Sequence, residues 1–431
     1  MMAGPPNLLR LYFVTWNVAT KYPEQELHQL LGINHSVEHK PPDFYIIGLQ
    51  EVKSQPQNML LDFFSDDPWS KSFRDILKYH DYVKIKTQRL QGIVLNVFCL
   101  RKHMNRLRSI EARYTKTGFG GLWGNKGAVS VRLNLYGVSL CLVNTHLTPH
   151  DHLLAERVSD YNTILREHVY EAPDTSSIFY HDYIFWIGDL NFRLGEGLSP
   201  SDINLLVRQS QLDVLLAKDQ LKRVMTSGEA FAELTENEIS FPPTYKYEFG
   251  SQDFDLKRRP SWTDRILFKV NADVYENVKL KAEQHTYKSH SSYVQSDHKP
   301  VTGEFDIVIR PDVDGPGIEF EPISEWFIDE ANAVSYKLVD NTKPESGDWI
   351  GLYKEGFSSI DEYLVYEYVN RGLEKSGLPE EISANTKLIE TLYFGDTAIR
   401  TTGMYRLVYV TQRGDILGIL GVSQVFPGHH R

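Results

Sequence analysis

The sequence predicts an α/β protein of stacked sheets with covering helices, followed by a smaller all-β domain. Three observations predict it. Upstream of about residue 270, short β-branched and aromatic runs recur that are apolar at nearly every position, as strands covered on both faces are. Amphipathic helical patterns are few. After the turn-rich stretch Pro311-Asp312-Val313-Asp314-Gly315-Pro316-Gly317, the texture becomes period-two alternation with turn signals and no long helix.

In order, the predicted strands are LYFVTWNV from Leu11, FYIIGLQEV from Phe44, IVLNVFCL from Ile93, AVSVRLNLYGVSLCLVNTHL from Ala128, YIFWIGDLNF from Tyr183 and DRILFKV from Asp264. The fourth contains Tyr136-Gly137, a turn that folds it into a hairpin. Leu154, Val158, Tyr161, Leu165 and Val169 recur at helical spacing and predict a covering helix over about 152–169. A second helix starts at Ser199-Pro200, a cap residue and an N1 proline, with Asp202 in its first turn. Beyond the apolar segment VTGEFDIVI and the turn, AVSYKLVD, DWIGLYKEG and YRLVYVTQRGDILGIL predict a small β-sandwich. The expected domains are 1–312 and 318–431.

Composition narrows the class. The 431 residues are 41% hydrophobic and 24% charged, which excludes collagen-like and disordered chains, and no run approaches the roughly 18 apolar residues of a membrane span. Cys99 and Cys141 sit in apolar runs and read as buried thiols of a reducing compartment. Neither end carries a signal-peptide or lipidation motif, so a cytoplasmic protein with only peripheral membrane contact is expected. The net charge of -11 argues against bulk nucleic-acid binding, yet it is unevenly spread. Residues 314–431 hold 10 Lys+Arg against 19 Asp+Glu, leaving 36 against 38 for the rest. The acidity belongs to the last quarter of the chain.

Polar residues recur where the apolar runs end: Asn17, Glu51, His146, Asp189 with Asn191, and Asp297-His298 after a Ser/Tyr-rich segment. Any one of them alone reads as a turn former. Together they combine hard oxygen ligands, carboxylates able to handle a proton, and two imidazoles. Few carboxylates with amide oxygens suit Mg²⁺, which keeps several waters and binds substrate phosphate. No zinc-ligand spacing, H-E-x-x-H or G-x-S-x-G elbow is present, so metal-assisted hydrolysis remains. Lys246, Lys257, Arg258 and Arg259, interleaved with Tyr245, Tyr247 and Trp262, gather donors that would suit phosphate esters or a nucleic-acid backbone alike.

Thr15-Trp16-Asn17-Val18, Leu49-Gln50-Glu51-Val52, Asn144-Thr145-His146-Leu147, Gly188-Asp189-Leu190-Asn191-Phe192-Arg193 and Ser296-Asp297-His298-Lys299-Pro300 together resemble the endonuclease/exonuclease/phosphatase superfamily. Pro242-Pro243-Thr244-Tyr245-Lys246-Tyr247, Lys257 to Leu267 and Trp123-Gly124-Asn125-Lys126-Gly127 are similar to the inositol polyphosphate 5-phosphatase signatures within it. The resemblance implies a four-layer α/β sandwich that hydrolyses a 5-phosphate with Mg²⁺ by in-line water attack. It implies Glu51 as the metal ligand assisted by Asn17, Asp189 as the base that orients water, and Asn191 and His146 near the phosphate. His298 would stabilise the transition state, with Asp297 fixing its tautomer.

Tyr245, Lys246, Lys257 and Arg258 would bind the ring 4-phosphate, with Asn125 and Lys126 beside the site, while Arg265 would brace it. Gly118 to Trp123 looks like the family's lipid-chain contact. Two departures stand out: Ala128 replaces a glycine after Gly127, and Phe254-Asp255-Leu256 lacks the hydroxyls common before the basic run.

Asp348-Trp349-Ile350-Gly351-Leu352-Tyr353-Lys354 and Gly414-Asp415-Ile416-Leu417-Gly418 resemble the SKICH domain, an immunoglobulin-like sandwich found in one subgroup of these phosphatases. Thr263, where many family members have cysteine, fits that subgroup. The resemblance implies a monomer that acts on phosphatidylinositol 4,5-bisphosphate, the 3,4,5-trisphosphate or soluble inositol phosphates at membrane surfaces, without nucleic-acid partners. SKICH-bound proteins would recruit it to the plasma membrane or endoplasmic reticulum. A nuclease or sphingomyelinase of the same fold, or a weakly active scaffold, is the alternative.

Overall fold

The computed structural model describes residues 7–33, 40–53, 66–118, 123–172, 175–313, 315–339, 342–369 and 389–431. Two sheets pack face to face in its first part. One has six strands in the order β10-β11-β1-β2-β4-β3. These are β1 (Leu8–Asn17), β2 (Phe44–Gln50), β3 (Tyr82–Leu90), β4 (Ile93–Leu100), β10 (Ala282–Ser289) and β11 (Val301–Val308). The other runs β5 (Leu107–Gly118), β6 (Trp123–Leu135), β7 (Val138–His146), β8 (Tyr183–Asp189) and β9 (Asp264–Val270). Phe13, Phe185 and Phe305 meet between the sheets, with ring centroids 4.6–5.5 Å apart. Strands buried on both faces need no alternation, which is why their sequences are apolar throughout.

Helices close the outer faces, giving four layers. On one side α1 (Pro68–Leu77) buries Trp69 and Phe73 against Trp16. On the other, α2 (Leu154–Glu167) and α5 (Gln220–Ser227) cover Trp186 and Phe231. Between these two in sequence lie α3 (Pro200–Arg208), which starts at the expected Ser199-Pro200, with Ser199 and Asp202 forming a capping box, and the single turn α4 (Leu212–Leu216). The hairpin turn at Tyr136-Gly137 is present, with φ of 49° and 66°.

One pair of neighbours in each sheet is parallel, β1 with β2 and β7 with β8. Parallel neighbours end together, so Asn17 is level with Gln50 and His146 with Asp189. Antiparallel β9 begins where β8 ends, which puts Asp264 opposite Asp189. Beneath these ends Gln50 Nε2 donates to Asn144 Oδ1 at 2.7 Å, and Asn144 Nδ2 donates to the Leu49 and Val94 carbonyls, tying the two sheets together. Gly188 is required here: its φ is 140° and a Cβ would stand 2.1 Å from the Thr145 carbonyl oxygen.

The second part is built of strands: β12 (Ile318–Phe320), β13 (Trp326–Phe327), β14 (Asn332–Leu338), β15 (Trp349–Lys354), β16 (Val365–Tyr368), β17 (Ile389–Phe394), β18 (Gly403–Arg413), β19 (Ile416–Val422) and β20 (Phe426–His429). Sheet β12-β14-β17 faces the sheet containing β15, β18 and β20 across Trp326, Phe394, Leu407 and Phe426. This unit caps the edges of both upstream sheets. Leu417 pairs with Ile110 of β5, while Lys84 of edge strand β3 donates from its amide to the Ser358 carbonyl at 2.8 Å and accepts from Ile360 N. Tyr353, Phe357, Ile360, Val408, Val410 and Ile419 thereby join the core of the layered sandwich.

Candidate active site

The strand ends converge on one buried carboxylate. Asp189 accepts from Asn17 Nδ2 at 3.0 Å and from the Asn191 amide at 3.1 Å, and its Oδ2 lies 3.3 Å from His146 Nε2 and 3.9 Å from His298 Nε2. Asn17 Nδ2 also donates to Glu51 Oε1 at 3.1 Å. Glu51 adopts φ of 55° just past the end of β2, and its side chain remains 42% exposed while Asp189 is buried. The tight turn re-aims a carboxylate toward the mouth of the site.

Charge is arranged with care for sign. Burial pushes the Asp189 carboxyl up, but His146, His298 and the Asn17 amide outweigh it and hold it well below the usual carboxylate range. The same balance, with His146 the main neighbour, lowers Glu51. Burial disfavours the charged form of His298, yet Asp264 and then Asp189 lift it to about 9. His146 moves the opposite way, lowered by burial and by Lys126, whose Nζ donates to its Nε2 at 2.8 Å. The site therefore holds one imidazolium and one neutral imidazole at neutral pH.

Three roles expected from the sequence change. Asp297 does not fix the His298 tautomer; its carboxylate turns away and pairs with Lys246 Nζ at 3.2 Å. Asp264 does so instead, accepting from His298 Nδ1 at 3.0 Å. Asn17 presents its amide nitrogen to both carboxylates, and its Oδ1 accepts from Ala19 N, so it holds Glu51 and Asp189 rather than offering a metal an oxygen. Asn191 spends its side chain on the protein, donating to the Leu147 carbonyl and accepting from Arg193.

Tyr245 lies over His298 with ring centroids 4.5 Å apart, and the Arg193 guanidinium sits 4.5 Å from the Tyr245 ring centre. Beside them Lys246 is half-buried, and Lys257 and Arg258 are exposed on the turn that Asp255 closes. Asn125 is exposed on β6 near Lys126. Arg265 braces from below, donating to both Asp219 oxygens at 3.0 Å and to Glu236 at 2.7 Å. Of the segment expected to meet lipid chains, residues 119–122 lie outside the described residues.

Asp264 and Arg193 were quoted within sequence signatures but given no role. The signal existed for Asp264: it starts an apolar strand instead of ending one, and an antiparallel strand brings its start to the same face. Asp189, Asp264 and His298 bring ligand atoms within 4.8 Å of one another, but Asp264 Oδ2 is already filled by donors. Glu51, half-exposed and hydrogen-bonded to Asn17, is another carboxylate here that could hold a metal.

Two family models match the chain: Endonuclease/Exonuclease/phosphatase family 2 over residues 14–304, and SKICH domain over 318–427. The chain is 34% identical over 427 residues to phosphatidylinositol 4,5-bisphosphate 5-phosphatase A of Mus musculus, covering 97% of this chain and 41% of that protein. It is 34% identical over 436 residues to inositol polyphosphate 5-phosphatase K of Mus musculus, covering 97% of this chain and 89% of that one. Among solved structures, the 5-phosphatase domain of SPsynaptojanin, in complex with inositol (1,4)-bisphosphate and calcium ion, aligns with a TM-score of 0.59 at 26% identity over 72% of this chain and 88% of that chain. A Cimex nitrophorin ferrous NO complex aligns with a TM-score of 0.57 at 25% identity over 71% of this chain and 100% of that chain. Since one fold carries both, the side chains at the strand ends must decide the chemistry.

Proposed function

Because the chain belongs to the inositol polyphosphate 5-phosphatases of the endonuclease/exonuclease/phosphatase family and carries a SKICH domain, we propose that it hydrolyses the 5-phosphate of phosphoinositides and inositol polyphosphates with Mg²⁺. One observation carries the reading: Asn17, Glu51, His146, Asp189 and His298 meet within hydrogen-bonding or ion-pair distance beside Tyr245 and Lys246.

Glu51 offers a half-exposed carboxylate held in its ionised form, a hard oxygen ligand of the kind a divalent ion such as Mg²⁺ takes. Bound by Glu51, Mg²⁺ would neutralise charge on the scissile phosphate. The protein supplies the rest. Asp189, ionised and buried, accepts a hydrogen bond from the attacking water and orients it in line with the phosphorus. His298, held as imidazolium, donates to a phosphoryl oxygen as negative charge grows there, and Lys126 and His146 line the opposite side. Lys246, Lys257 and Arg258 would grip a neighbouring ring phosphate, Lys246 exchanging its Asp297 contact for it. That exchange would favour substrates phosphorylated at position 4, such as phosphatidylinositol 4,5-bisphosphate and the 3,4,5-trisphosphate.

The C-terminal unit is proposed to recruit protein partners, since its charge would be repelled by anionic headgroups. Among the described residues no helix is long and apolar enough to cross a membrane. Phosphate release from phosphatidylinositol 4,5-bisphosphate vesicles tests the reading. Release that requires Mg²⁺ and is abolished in Asp189→Ala is expected; a wild-type protein that releases none would refute it.

A further inference from the structure

Asp264 uses its two oxygens unequally. Oδ2 accepts from His298 Nδ1 at 3.0 Å, from Thr244 Oγ1 at 2.6 Å and from Thr263 Oγ1 at 2.8 Å. Oδ1, also buried, has no partner among the described residues. All three donors and the carboxylate are shut off from solvent: Thr244, Thr263 and Asp264 are fully buried and His298 is 4% exposed. Hydroxyl-to-carboxylate bonds of this length are at the strong end of protein hydrogen bonds.

We propose that the Thr244 and Thr263 hydroxyls are positioning groups for the hydrolysis reaction, locking the Asp264 carboxylate in the rotation that presents Oδ2 to His298 Nδ1. The proposal rests on the phosphatase reading above. A carboxylate torsion is soft, so packing alone leaves the plane of the group loosely set. Its two oxygens are equivalent and a half-turn changes nothing; two hydroxyls aimed at one oxygen position fix the plane. A partial turn would strand both protons in a dry site, which is costly.

The hydroxyls are themselves held. Thr244 N donates to the Ser261 carbonyl, and the Thr244 carbonyl accepts from Lys299 N at 2.9 Å, next to His298 in sequence. Thr263 is adjacent to Asp264, and its Oγ1 lies 3.4 Å from His298 Nδ1. That imidazole proton already goes to Asp264, so the Thr263 proton does too. Thr244 also directly precedes Tyr245-Lys246, so the segment that would meet the ring phosphate is pinned to the residue that orients the imidazole.

Thr263→Val and Thr244→Val keep shape and remove one hydroxyl each. Each is expected to lower kcat by about tenfold or more, with KM for the lipid within about twofold of wild type. Thr263→Ser, which returns the hydroxyl, is expected to restore kcat to within about threefold. Unchanged kcat in both valine variants overturns the proposal. So does an equal loss in valine and serine variants accompanied by a lower melting temperature, the mark of a packing role. A second readout is independent of turnover: the low-field proton resonance of the His298 imidazole N–H should move upfield in both valine variants. An unmoved resonance sinks the proposal even if the wild type hydrolyses no phosphoinositide, an outcome that would by itself count only against the phosphatase reading.

Discussion

His298 Nδ1 donates to Asp264 Oδ2 at 3.0 Å, across 34 positions of sequence, while the adjacent Asp297 is turned toward Lys246. The two aspartates should therefore fail in different ways. Asp264→Asn removes the charge that keeps His298 protonated and leaves its ring free to take the wrong tautomer. A fall in kcat of about 10³–10⁴-fold is expected, by analogy with loss of the aspartate in other Asp–His pairs. Asp297→Asn releases Lys246 and should act mainly through KM. Steady-state kinetics on both variants separate the roles, and equal kcat losses would contradict the assignment.

Glu51 carries the metal prediction. Its carboxylate stands half-exposed, while Asp189 is enclosed by Asn17, Asn191 and His146. Glu51→Gln keeps the Asn17 contact but removes the ligand's negative charge, so the Mg²⁺ concentration for half-maximal rate should rise by about tenfold or more. Chelation with EDTA should abolish turnover, and added Mg²⁺ should restore it. A Mg²⁺ titration that superimposes on wild type would transfer the role to another residue.

Strands buried on both faces were legible because burial writes itself into composition: β1, β2, β4, β7, β8 and β9 correspond to predicted runs. Of the unread strands, β3 and β10 end the six-stranded sheet, and β5 lies where β19 of the C-terminal unit joins the other sheet. They carry Lys84, Lys86 and Arg89, or Arg108, Glu111, Arg113 and Lys116, or Glu283, His285 and Lys288. An edge needs less apolar surface, so its period is weak. Helix α1 was missed although Asp67-Pro68 spells its cap, and the cap is made: Asp67 accepts from Trp69 N and Ser70 N. At the site, scanning strand ends found five residues on one face, but only the antiparallel direction of β9 reveals that a strand start, Asp264, belongs with them.

Acid should destabilise the fold through a histidine remote from the site. His168, at the end of α2, is buried between Thr115 Oγ1 and Ser130 Oγ, 2.8 and 2.5 Å from its ring nitrogens. Burial first, then Arg113, pull its pKa from the ordinary 6.5 to about 3. Between those values the unfolded chain binds the extra proton, so stability falls as pH falls from 6.5 toward 3. The loss from His168 alone is about 2 kcal/mol by pH 5. His290, lowered to about 4 by burial and Lys288, adds in the same window. His168→Gln should be less stable at pH 7, with the gap to wild type narrowing at pH 5. Urea unfolding at the two pH values measures it; a gap independent of pH would exclude His168 as the titrating group.

The C-terminal unit should be inseparable in stability from the sandwich it caps. Its loop at Ser358–Ile360 completes the edge of β3, and β19 meets β5, so the two exposed edges of the catalytic sheets are covered at once. Arg101 fastens the joint, donating to the Phe357 carbonyl at 2.8 Å and lying 4.4 Å from the centre of the Phe357 ring. Arg108 does the same for the Gly315 and Ile419 carbonyls. Phe357 is buried against Tyr353, with ring centroids 4.5 Å apart. Phe357→Ala should cost about 3–4 kcal/mol. Because the core is shared, it should lower the melting of the whole chain in one transition, and a chain ended at residue 312 should melt lower still and aggregate, having two bare sheet edges. Differential scanning calorimetry distinguishes this from independent domains, for which Phe357→Ala would shift one of two separate transitions and leave the other in place.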